Sequence, residues 1–382
     1  MRFAHLGDCH LGGWKIPELR QLNLEAFVYA VDTIIKEKLD FVLIAGDLFD
    51  SAYPPIETIK DTFNEFRKLK EANIPVFLIA GSHDYSATGK SFLDVLEKAG
   101  FVKNVFISEE KNQFIYLQPT IYKNVAIYGY PGKKSGLEVS EIERIKLQDS
   151  PGLFRILMLH TAIRDAVKIL PIPAVDQDSL PKVDYLALAH LHITYNKNNR
   201  VYCGPTFPNN SEELEELQGG SFYIISTEGK IERIEIKSKQ IIVLNFSITN
   251  AISATDEILE ELKKLDLKDK IIILKLSGRI DVGKTTDIKL NEIEEFTRKN
   301  GAYVLLKSTS KLFPIESDIE IEIQSEDMED KIIKLFSEKN PHDLNFLSSS
   351  LISLLEVEKK EEETANTFEE RIFSEARKVL EI

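Results

Sequence analysis

The alternation of apolar and polar residues predicts an α/β structure for residues 1–240. Short runs of β-branched and aromatic residues alternate there with stretches whose apolar residues recur at helical spacing, a pattern typical of βα units built around a sheet. Helices are predicted over residues 17–38 and 56–71. Strands are predicted over residues 2–6, 40–45, 75–80, 102–107, 124–130, 153–159, 184–189, 200–203, 221–226 and 230–236.

The same kind of alternation starts again at residue 241 and predicts a smaller α+β domain. Its strands are predicted over residues 241–247, 270–276 and 302–307, and its helices over residues 256–265, 287–299 and 328–338. Near the C-terminus, residues 367–381 carry an apolar residue at every fourth position, which predicts an amphipathic helix. We therefore expect domains over residues 1–240 and 241–340, followed by a helical tail over residues 341–382.

Composition, charge and cysteine content narrow the class of protein. No apolar run approaches the roughly 20 residues that a membrane-spanning helix needs, and Asp8 interrupts the N-terminal apolar stretch too early for a signal peptide. Two cysteines do not make a disulfide framework, which fits a reducing cytoplasm. The formal net charge of -14 argues against a basic surface for nucleic acid. Any contact with DNA therefore has to be local, metal-assisted or shared with a partner.

Histidine and aspartate residues gather at the ends of the predicted strands. Five of the seven histidines follow an apolar strand directly, and aspartates stand close to them in the sequence. These residues are Asp8, His10, Asp47, Asp50, His83, Asp84, His160, His190 and His192. Because open α/β sheets place their ligands at the carboxyl edge, the side chains are expected to converge there. Mixed imidazole and carboxylate donors suit divalent ions such as Mn, Fe or Zn.

For each of these residues there is a purely structural alternative. A single histidine after a strand is more often a packed core or loop residue than a metal ligand, and an aspartate there is often a helix N-cap. The N-cap alternative stays open for Asp50 and Asp84. For Asp8 and Asp47 the repeated strand-end context favours metal binding. His5 lies in mid-strand and His342 has no partners in the sequence, so packing or surface roles are expected for both.

Taken in order, the patterns DxH, GD, GxHD, a strand-end H and HxH resemble the binuclear metallophosphoesterase superfamily. Residues 8–12 (DCHLG) and 45–50 (AGDLFD) resemble the motifs of the Mre-eleven (SbcD-type) DNA double-strand-break repair nucleases. The resemblance covers the first 240 residues. It implies a four-layer αββα sandwich, and it implies that the smaller second domain is the capping domain of that family.

The resemblance also implies a set of metal ligands. Asp8, His10, Asp47 and His192 are expected to bind one Mn²⁺ ion. Asp47 would bridge to a second Mn²⁺ ion, which His160, His190 and Ser82 would also bind. The family usually has asparagine at position 82 and glycine at position 189, so Ser82 and Ala189 are departures. Because a serine hydroxyl is a shorter and weaker ligand than an amide carbonyl, the second ion is expected to bind less tightly.

The same resemblance implies a role for His83, and a role is also expected for Asp84. His83 is expected to steady the phosphate or to protonate the leaving 3′ oxygen, and Asp84 is expected to orient the His83 imidazole. Two metal ions in such a site activate a water, neutralise phosphate oxygens and stabilise the leaving oxygen.

The expected function is a cytoplasmic, nucleoid-associated Mn-dependent nuclease with exonuclease and endonuclease activity on double-stranded DNA ends and single strands. The resemblance implies a homodimer, and it implies that the C-terminal tail binds the Rad-fifty (SbcC-type) ABC ATPase. Docking of the tail onto its own capping domain is the alternative. Two other functions stay open: a phosphoesterase for small molecules or phosphoproteins, and a weakly catalytic scaffold for DNA ends.

Two weaker signals accompany this interpretation. Residues 278–285 match the GxxxxGK[ST] pattern of a phosphate-binding loop, but they lack the small residues that let backbone amides surround a phosphate, so we interpret the match as accidental. Six basic residues in predicted loops are candidates for contact with the DNA backbone or, alternatively, ordinary solvated charges. They are Lys133, Lys134, Arg164, Lys168, Lys197 and Arg200.

Overall fold

The computed structural model describes residues 1–86, 90–167, 172–314 and 365–380. The chain divides into two units, residues 1–315 and residues 316–382, and the second is described here through a single helix. The helix predicted over residues 328–338 lies outside the described residues, as do His342 and Lys168. No helix in the described part of the chain has the length and apolar character needed to cross a membrane.

The bounds of the elements are as follows. The helices are α1 (Pro17–Lys36), α2 (Ile56–Glu71), α3 (Phe92–Lys98), α4 (Glu138–Ile142), α5 (Arg164–Val167), α6 (Ser211–Leu217), α7 (Ala251–Lys263), α8 (Leu290–Lys299) and α9 (Ala365–Leu380). The strands are β1 (Arg2–Leu6), β2 (Phe41–Ile44), β3 (Val76–Leu78), β4 (Lys103–Asn104), β5 (Ser108–Lys111), β6 (Phe114–Leu117), β7 (Thr120–Tyr122), β8 (Val125–Tyr130), β9 (Ile145–Leu147), β10 (Phe154–His160), β11 (Tyr185–Ala189), β12 (Thr194–Lys197), β13 (Arg200–Cys203), β14 (Gly219–Ser226), β15 (Ile231–Lys237), β16 (Ile241–Ser247), β17 (Ile271–Ile280) and β18 (Val304–Pro314).

Two six-stranded sheets form the centre of the first 240 residues. The strand order is β15-β14-β1-β2-β3-β4 in the first sheet and β12-β13-β11-β10-β8-β7 in the second. Strands β1 to β4 are mutually parallel, and so are β8, β10, β11 and β13. The carboxyl ends of β1, β2, β3, β10 and β11 carry the histidines and aspartates that the sequence analysis singled out.

The first strand shows how the sheets are buried on both faces. Phe3 joins a core shared with the second sheet, where it stacks on Phe41 at a ring distance of 4.7 Å. Ala4 and Leu6 join a different core, which also contains residues of α1 and α2. Because side chains alternate along a strand, one apolar run therefore serves two layers.

The outer face of the second sheet is covered by short elements. A third core joins Tyr128 and Leu157 of that sheet with Ile115 of β6 and Ile142 of α4, and β5, β6 and β9 form a small sheet of their own. The layers are therefore helices, sheet, sheet, and a mixed outer layer. This arrangement confirms the predicted α/β fold class. The strand pattern alone had indicated one central sheet, whereas the structure has two.

Residues 241–314 contain helices α7 and α8 and a three-stranded parallel sheet with the strand order β16-β17-β18. Ile272 and Leu274 of β17 pack with α7 and α8 in a core of their own. Ile271 and Ile273, on the opposite face, join the core that contains α1. This segment therefore packs on the first 240 residues through one face of its sheet, while the predicted boundaries at residues 240 and 340 stay predictions.

Several predicted bounds were wrong. Helix α7 begins at Ala251 instead of residue 256, because the side chain of Asn250 caps it by accepting a hydrogen bond from the Ile252 N–H. Strand β18 continues to Pro314, and β17 continues to Ile280. Gly278 lies inside β17 and pairs with Leu312 of β18, so residues 278–285 do not form a phosphate-binding loop.

A buried polar contact joins the two central sheets. Nδ1 of His5 lies 2.9 Å from the hydroxyl of Tyr185, and both side chains are buried. Burial lowers the pKa of His5 to about 3, so the imidazole is neutral near pH 7. The expected packing role of His5 is therefore confirmed.

Replacing Tyr185 by phenylalanine is expected to lower the free energy of unfolding by about 1–3 kcal/mol, because it leaves Nδ1 of His5 buried without a hydrogen-bond partner. Urea unfolding measures the change, with Tyr29→Phe on the exposed face of α1 as the control. A loss no larger than that of the control would contradict a structural role for the contact.

Candidate metal centre

The carboxyl edges of the two central sheets meet at one place, and the candidate ligands lie there. Asp8 and His10 follow β1, and Asp47 follows β2. His160 is the last residue of β10, and His190 and His192 follow β11. The loops after β1 and β2 are held together because the backbone N–H groups of Asp8 and His10 donate hydrogen bonds to the carbonyl groups of residues 46 and 47.

The backbone at this edge adopts a conformation that is unfavourable for most residues. Five candidate ligands have positive φ angles: Asp8 (49°), His10 (43°), Asp47 (51°), His190 (105°) and His192 (53°). Such conformations cost free energy in residues other than glycine and cluster at functional sites. The strain therefore sets these residues apart from an ordinary strand end.

A first group of converging ligand atoms comes from Asp8, His10 and His192. Nε2 of His10 lies 3.0 Å from Nε2 of His192, and the His192 nitrogen lies 3.9 Å from Oδ1 of Asp8. Two imidazole nitrogens and a carboxylate oxygen at these distances are the donors that a divalent cation of the first transition row binds.

A second group comes from Asp8, Asp47 and His160. Nε2 of His160 is fully buried and makes no hydrogen bond, yet it lies 3.2 Å from Oδ2 of Asp47. The same Asp47 oxygen lies 3.7 Å from Nε2 of His10, so it stands between the two groups. An orphaned buried nitrogen beside a carboxylate fits a cation ligand, since buried polar atoms otherwise have partners. The donor set therefore fits bound divalent metal.

Three of the histidines are oriented by a hydrogen bond from Nδ1. Nδ1 of His10 donates to Oδ1 of Asp50 at 3.0 Å, and Nδ1 of His192 donates to Oε1 of Glu213 at 2.9 Å. Nδ1 of His160 donates to the carbonyl oxygen of Ala45 at 3.0 Å. Each contact leaves Nε2 unprotonated in the neutral ring and available to a cation, which is the usual arrangement around ligand histidines.

Charge at the site is balanced between carboxylates and imidazoles. Although burial opposes ionisation, His160 and His10 hold the pKa of Asp47 well below its usual range. Burial also opposes protonation of His160, but the charges of Asp47 and Asp8 outweigh it and raise the pKa of His160 to about 9. For His192, Asp8 and Glu213 outweigh burial in the same way, and the pKa again rises to about 9. Binding of a cation would therefore displace protons from these rings.

Ser82 and His190 lie beside the second group. The hydroxyl of Ser82 donates a hydrogen bond to Oδ2 of Asp47 at 3.3 Å. The ring of His190 meets the ring of His160 edge-on at 5.1 Å, and burial, reinforced by His160, lowers the pKa of His190 to about 4. His190 does not belong to the groups of converging His, Cys, Asp and Glu atoms found within the described ranges.

His83 is exposed at the rim of the site. Its backbone N–H donates to Oδ1 of Asp47 at 2.7 Å, and its Nδ1 lies 3.0 Å from the carbonyl oxygen of Asp50. Its ring contacts that of His10 edge-on at 4.7 Å, so His10, Asp50 and His83 form a third group of neighbouring donors. One imidazole nitrogen is thus anchored while the ring remains open to solvent.

The structure gives Asp84 different partners from those expected. The buried carboxylate accepts hydrogen bonds from the backbone N–H groups of Leu48, Phe49 and Gly81, and burial raises its pKa to about 6. Asp84 thus joins the loop after β2 to the loop after β3. Asp50, and not Asp84, lies against the His83 imidazole.

Neither Asp50 nor Asp84 is a helix N-cap. Helix α2 begins at Ile56 with Pro55 before it. The sequence did not reveal that Asp50 contacts His10 or that Glu213 contacts His192. The last residue of the GDLFD pattern could have indicated Asp50, whereas Glu213 stands 21 positions from His192 and carries no local signal.

A cleft of about 610 Å³ adjoins His83 and His190. Lys133 and Lys134 line it, and Lys133 forms an ion pair with Glu141 at 2.5 Å. For Lys134, no ion-pair partner is found among the described residues. Of the other predicted basic contacts, Lys197 and Arg200 pair with Asp165, and Arg164 donates to the carbonyl oxygen of Ala174.

The sequence profile of the calcineurin-like phosphoesterase family matches residues 1–194. Those residues include β1, β2, β3, β10 and β11, and all the candidate ligands. The match confirms the superfamily resemblance seen in the motifs.

Several archaeal proteins named DNA double-strand break repair protein Mre11 are similar to this chain. The protein from Methanosarcina acetivorans is 28% identical over 80% of this chain and 49% of its own length. The protein from Methanococcus maripaludis is 26% identical over 93% of this chain and 95% of its own length, and that from Archaeoglobus fulgidus is 24% identical over 85% and 78%. This chain therefore spans about half the length of the Methanosarcina relative and nearly all of the Methanococcus one.

Proposed function

The chain belongs to the calcineurin-like phosphoesterase family, and from this we propose that it is a Mn-dependent nuclease that hydrolyses DNA phosphodiester bonds in double-strand-break repair. The observation that carries the proposal is the convergence of Asp8, Asp47, His10, His160 and His192 where the carboxyl edges of the two central sheets meet. The DNA substrate is supported by the repair name that the similar archaeal proteins share over most of this chain.

In this proposal Asp47 would be a ligand of both ions. Asp8, His10, Asp47 and His192 would hold the first ion, and Asp47, Ser82, His160 and His190 would hold the second. Carboxylate and imidazole donors without thiolates suit divalent ions such as Mn, Fe or Zn, and the family resemblance implies Mn²⁺. When bound, such ions supply Lewis-acid polarisation of a phosphoester and a more acidic water.

The remaining steps belong to residues of the chain. Asp50 and Glu213 keep Nδ1 of His10 and His192 protonated, and so present the Nε2 atoms to the site. Asp84 fixes the loop that carries Ser82 and His83. As water attacks the phosphorus and the P–O3′ bond breaks, the doubly protonated imidazole of His83 would donate its Nε2 proton to the leaving 3′ oxygen, while its Nδ1–H stays hydrogen-bonded to the carbonyl group of Asp50.

The proposed assembly extends to the rest of the chain. We assign residues 1–240 to the nuclease domain, 241–340 to a capping domain and 341–382 to the tail that binds a Rad-fifty-type ATPase. Helix α9 has the expected amphipathic character, and Phe373 is 67% exposed. A homodimer and a cytoplasmic, nucleoid-associated location complete the proposal.

Cleavage of end-labelled linear double-stranded and single-stranded DNA tests the function directly. We expect cleavage with Mn²⁺ and none after chelation. A small chromogenic phosphodiester measured in parallel separates the alternatives. Turnover of the small ester with intact DNA would favour a small-molecule phosphoesterase, for which the cleft beside His83 and His190 is the supporting observation. DNA binding without any turnover would favour a scaffold.

Replacing Ser82 by asparagine is expected to lower the Mn²⁺ concentration needed for half-maximal cleavage by about tenfold, roughly 1.4 kcal/mol. The amide carbonyl reaches further than the hydroxyl that now contacts Asp47 and is the stronger neutral ligand. Titration calorimetry with Mn²⁺ measures the same change as tighter binding of one ion. Ser51→Asn, on the same cleft, is the matched control, and equal Mn²⁺ requirements in both variants would contradict a ligand role for residue 82.

A further inference from the structure

An exposed aromatic ring stands in the cleft beside the metal centre. Tyr53 lines this cleft and is 68% exposed. Its hydroxyl donates a hydrogen bond to the carbonyl oxygen of Lys90 at 3.1 Å, and its backbone N–H donates to the hydroxyl of Ser51 at 3.3 Å. Anchored at both ends, the ring is held in a defined position with much of its surface open to solvent. A rigid exposed tyrosine offers a large contact area at little entropic cost on binding.

The ring is connected to the reacting centre through a short segment of chain. Tyr53 follows Asp50 by three residues, which span at most about 11 Å of backbone. The carbonyl oxygen of Asp50 lies 3.0 Å from Nδ1 of His83, the residue proposed to protonate the leaving oxygen. Because His83 and Tyr53 line the same cleft, a strand with a phosphate at His83 would have its neighbouring nucleotide within reach of the Tyr53 ring.

The same cleft carries one basic group without an acidic partner among the residues that the structure describes. Lys133 is paired with Glu141, whereas Lys134 is exposed beside it. With a net charge of -14 over the whole chain, general attraction of DNA is weak, so local contacts must supply the affinity. A cation together with an exposed aromatic ring is the combination that holds single-stranded nucleic acid, because every unpaired base has a face that can stack.

We infer that Tyr53 and Lys134 form a subsite for an unpaired nucleotide next to the scissile phosphate. The base stacks on the ring of Tyr53, and Lys134 meets a phosphate of the same strand. Paired bases in a duplex stack on one another and do not offer a free face, so the subsite selects single strands and unpaired ends. This inference rests on the proposed nuclease function and names the substrate form that the site prefers.

The test compares an oligothymidylate with an abasic strand of the same length and charge. Binding of each strand to the full chain is measured by fluorescence anisotropy, and cleavage with Mn²⁺ is measured on the same strands. For Tyr53→Leu, we expect about tenfold weaker binding and a similarly raised KM for the oligothymidylate, with less than about a twofold change for the abasic strand. Tyr53→Phe keeps the ring and is expected to rescue binding to within about threefold.

Two further variants complete the design. Lys134→Gln is expected to weaken both strands alike and to reduce the salt dependence of binding. Tyr29→Leu, which replaces an exposed tyrosine on α1, is the control and should change neither strand. Equal losses for both strands in Tyr53→Leu, or no loss, would overturn the subsite. If the unaltered chain hydrolyses the chromogenic diester but cleaves no strand, the nuclease proposal fails, and the binding comparison still decides whether Tyr53 stacks on bases.

Discussion

Replacing Asp47 by asparagine is expected to abolish binding of both divalent ions and to lower DNA cleavage by about a thousandfold or more. One oxygen of this carboxylate lies 3.2 Å from Nε2 of His160 and 3.7 Å from Nε2 of His10, so a single side chain serves both groups of ligands. Asparagine keeps the shape but loses the charge. Bound metal supplies several kcal/mol of charge stabilisation, and each 1.36 kcal/mol corresponds to a factor of ten in rate.

Titration calorimetry with Mn²⁺ and cleavage of end-labelled DNA measure the two effects. Asp149→Asn makes the same chemical change at an exposed position and should leave both unchanged. Circular dichroism checks that the Asp47→Asn protein is folded. If that folded variant still binds two ions per chain, Asp47 does not bridge them and the shared-carboxylate arrangement is incorrect.

The strand ends that carry Asp47 and the other ligands could be predicted because their signal is local. A run such as Phe41–Ile44 is apolar at every position, as expected for a parallel strand buried on both faces. The polar residues that follow such a run have to lie at the carboxyl edge. Periodicity therefore located the site, although it did not show that two separate sheets meet there.

Elements that depend on distant contacts could not be predicted in the same way. All four residues of β5 are exposed, so no alternation marks this strand, and it is stabilised by pairing with β6. Helix α7 begins earlier than its apolar spacing suggested because the cap at Asn250 is a polar signal. In both cases the missing information is a hydrogen bond and not a hydrophobic pattern.

The same distinction explains which site residues were missed. Asp50 and Glu213 act on His10 and His192 across 40 and 21 positions of sequence, and only the folded chain brings them together. From the sequence, Asp84 was expected to orient the imidazole of His83. The fold instead directs its carboxylate to three backbone N–H groups, which a loop at a crowded sheet edge has to satisfy.

Replacing His83 by alanine is expected to leave Mn²⁺ binding unchanged and to lower kcat on DNA by roughly 10²- to 10⁴-fold. The imidazole is 46% exposed, and its Nδ1 lies against the carbonyl oxygen of Asp50, so its other nitrogen is the one available to a leaving oxygen. The backbone N–H of residue 83, which contacts Asp47, is retained in the variant. The loop that supports the metal ligands should therefore stay in place.

The leaving group of the substrate separates proton donation from simple contact with the phosphate. A nitrophenolate leaves without a proton, whereas a deoxyribose 3′ oxygen needs one. If His83 is the proton donor, His83→Ala loses less than about tenfold on the chromogenic diester while losing the full factor on DNA. His83→Gln, which can still donate a hydrogen bond but does not readily give up a proton, should behave like the alanine variant. If His83→Ala instead loses equally on both substrates and His83→Gln recovers the activity, His83 binds the phosphate and does not donate the proton. If DNA turnover in His83→Ala is undiminished, His83 has no part in the reaction.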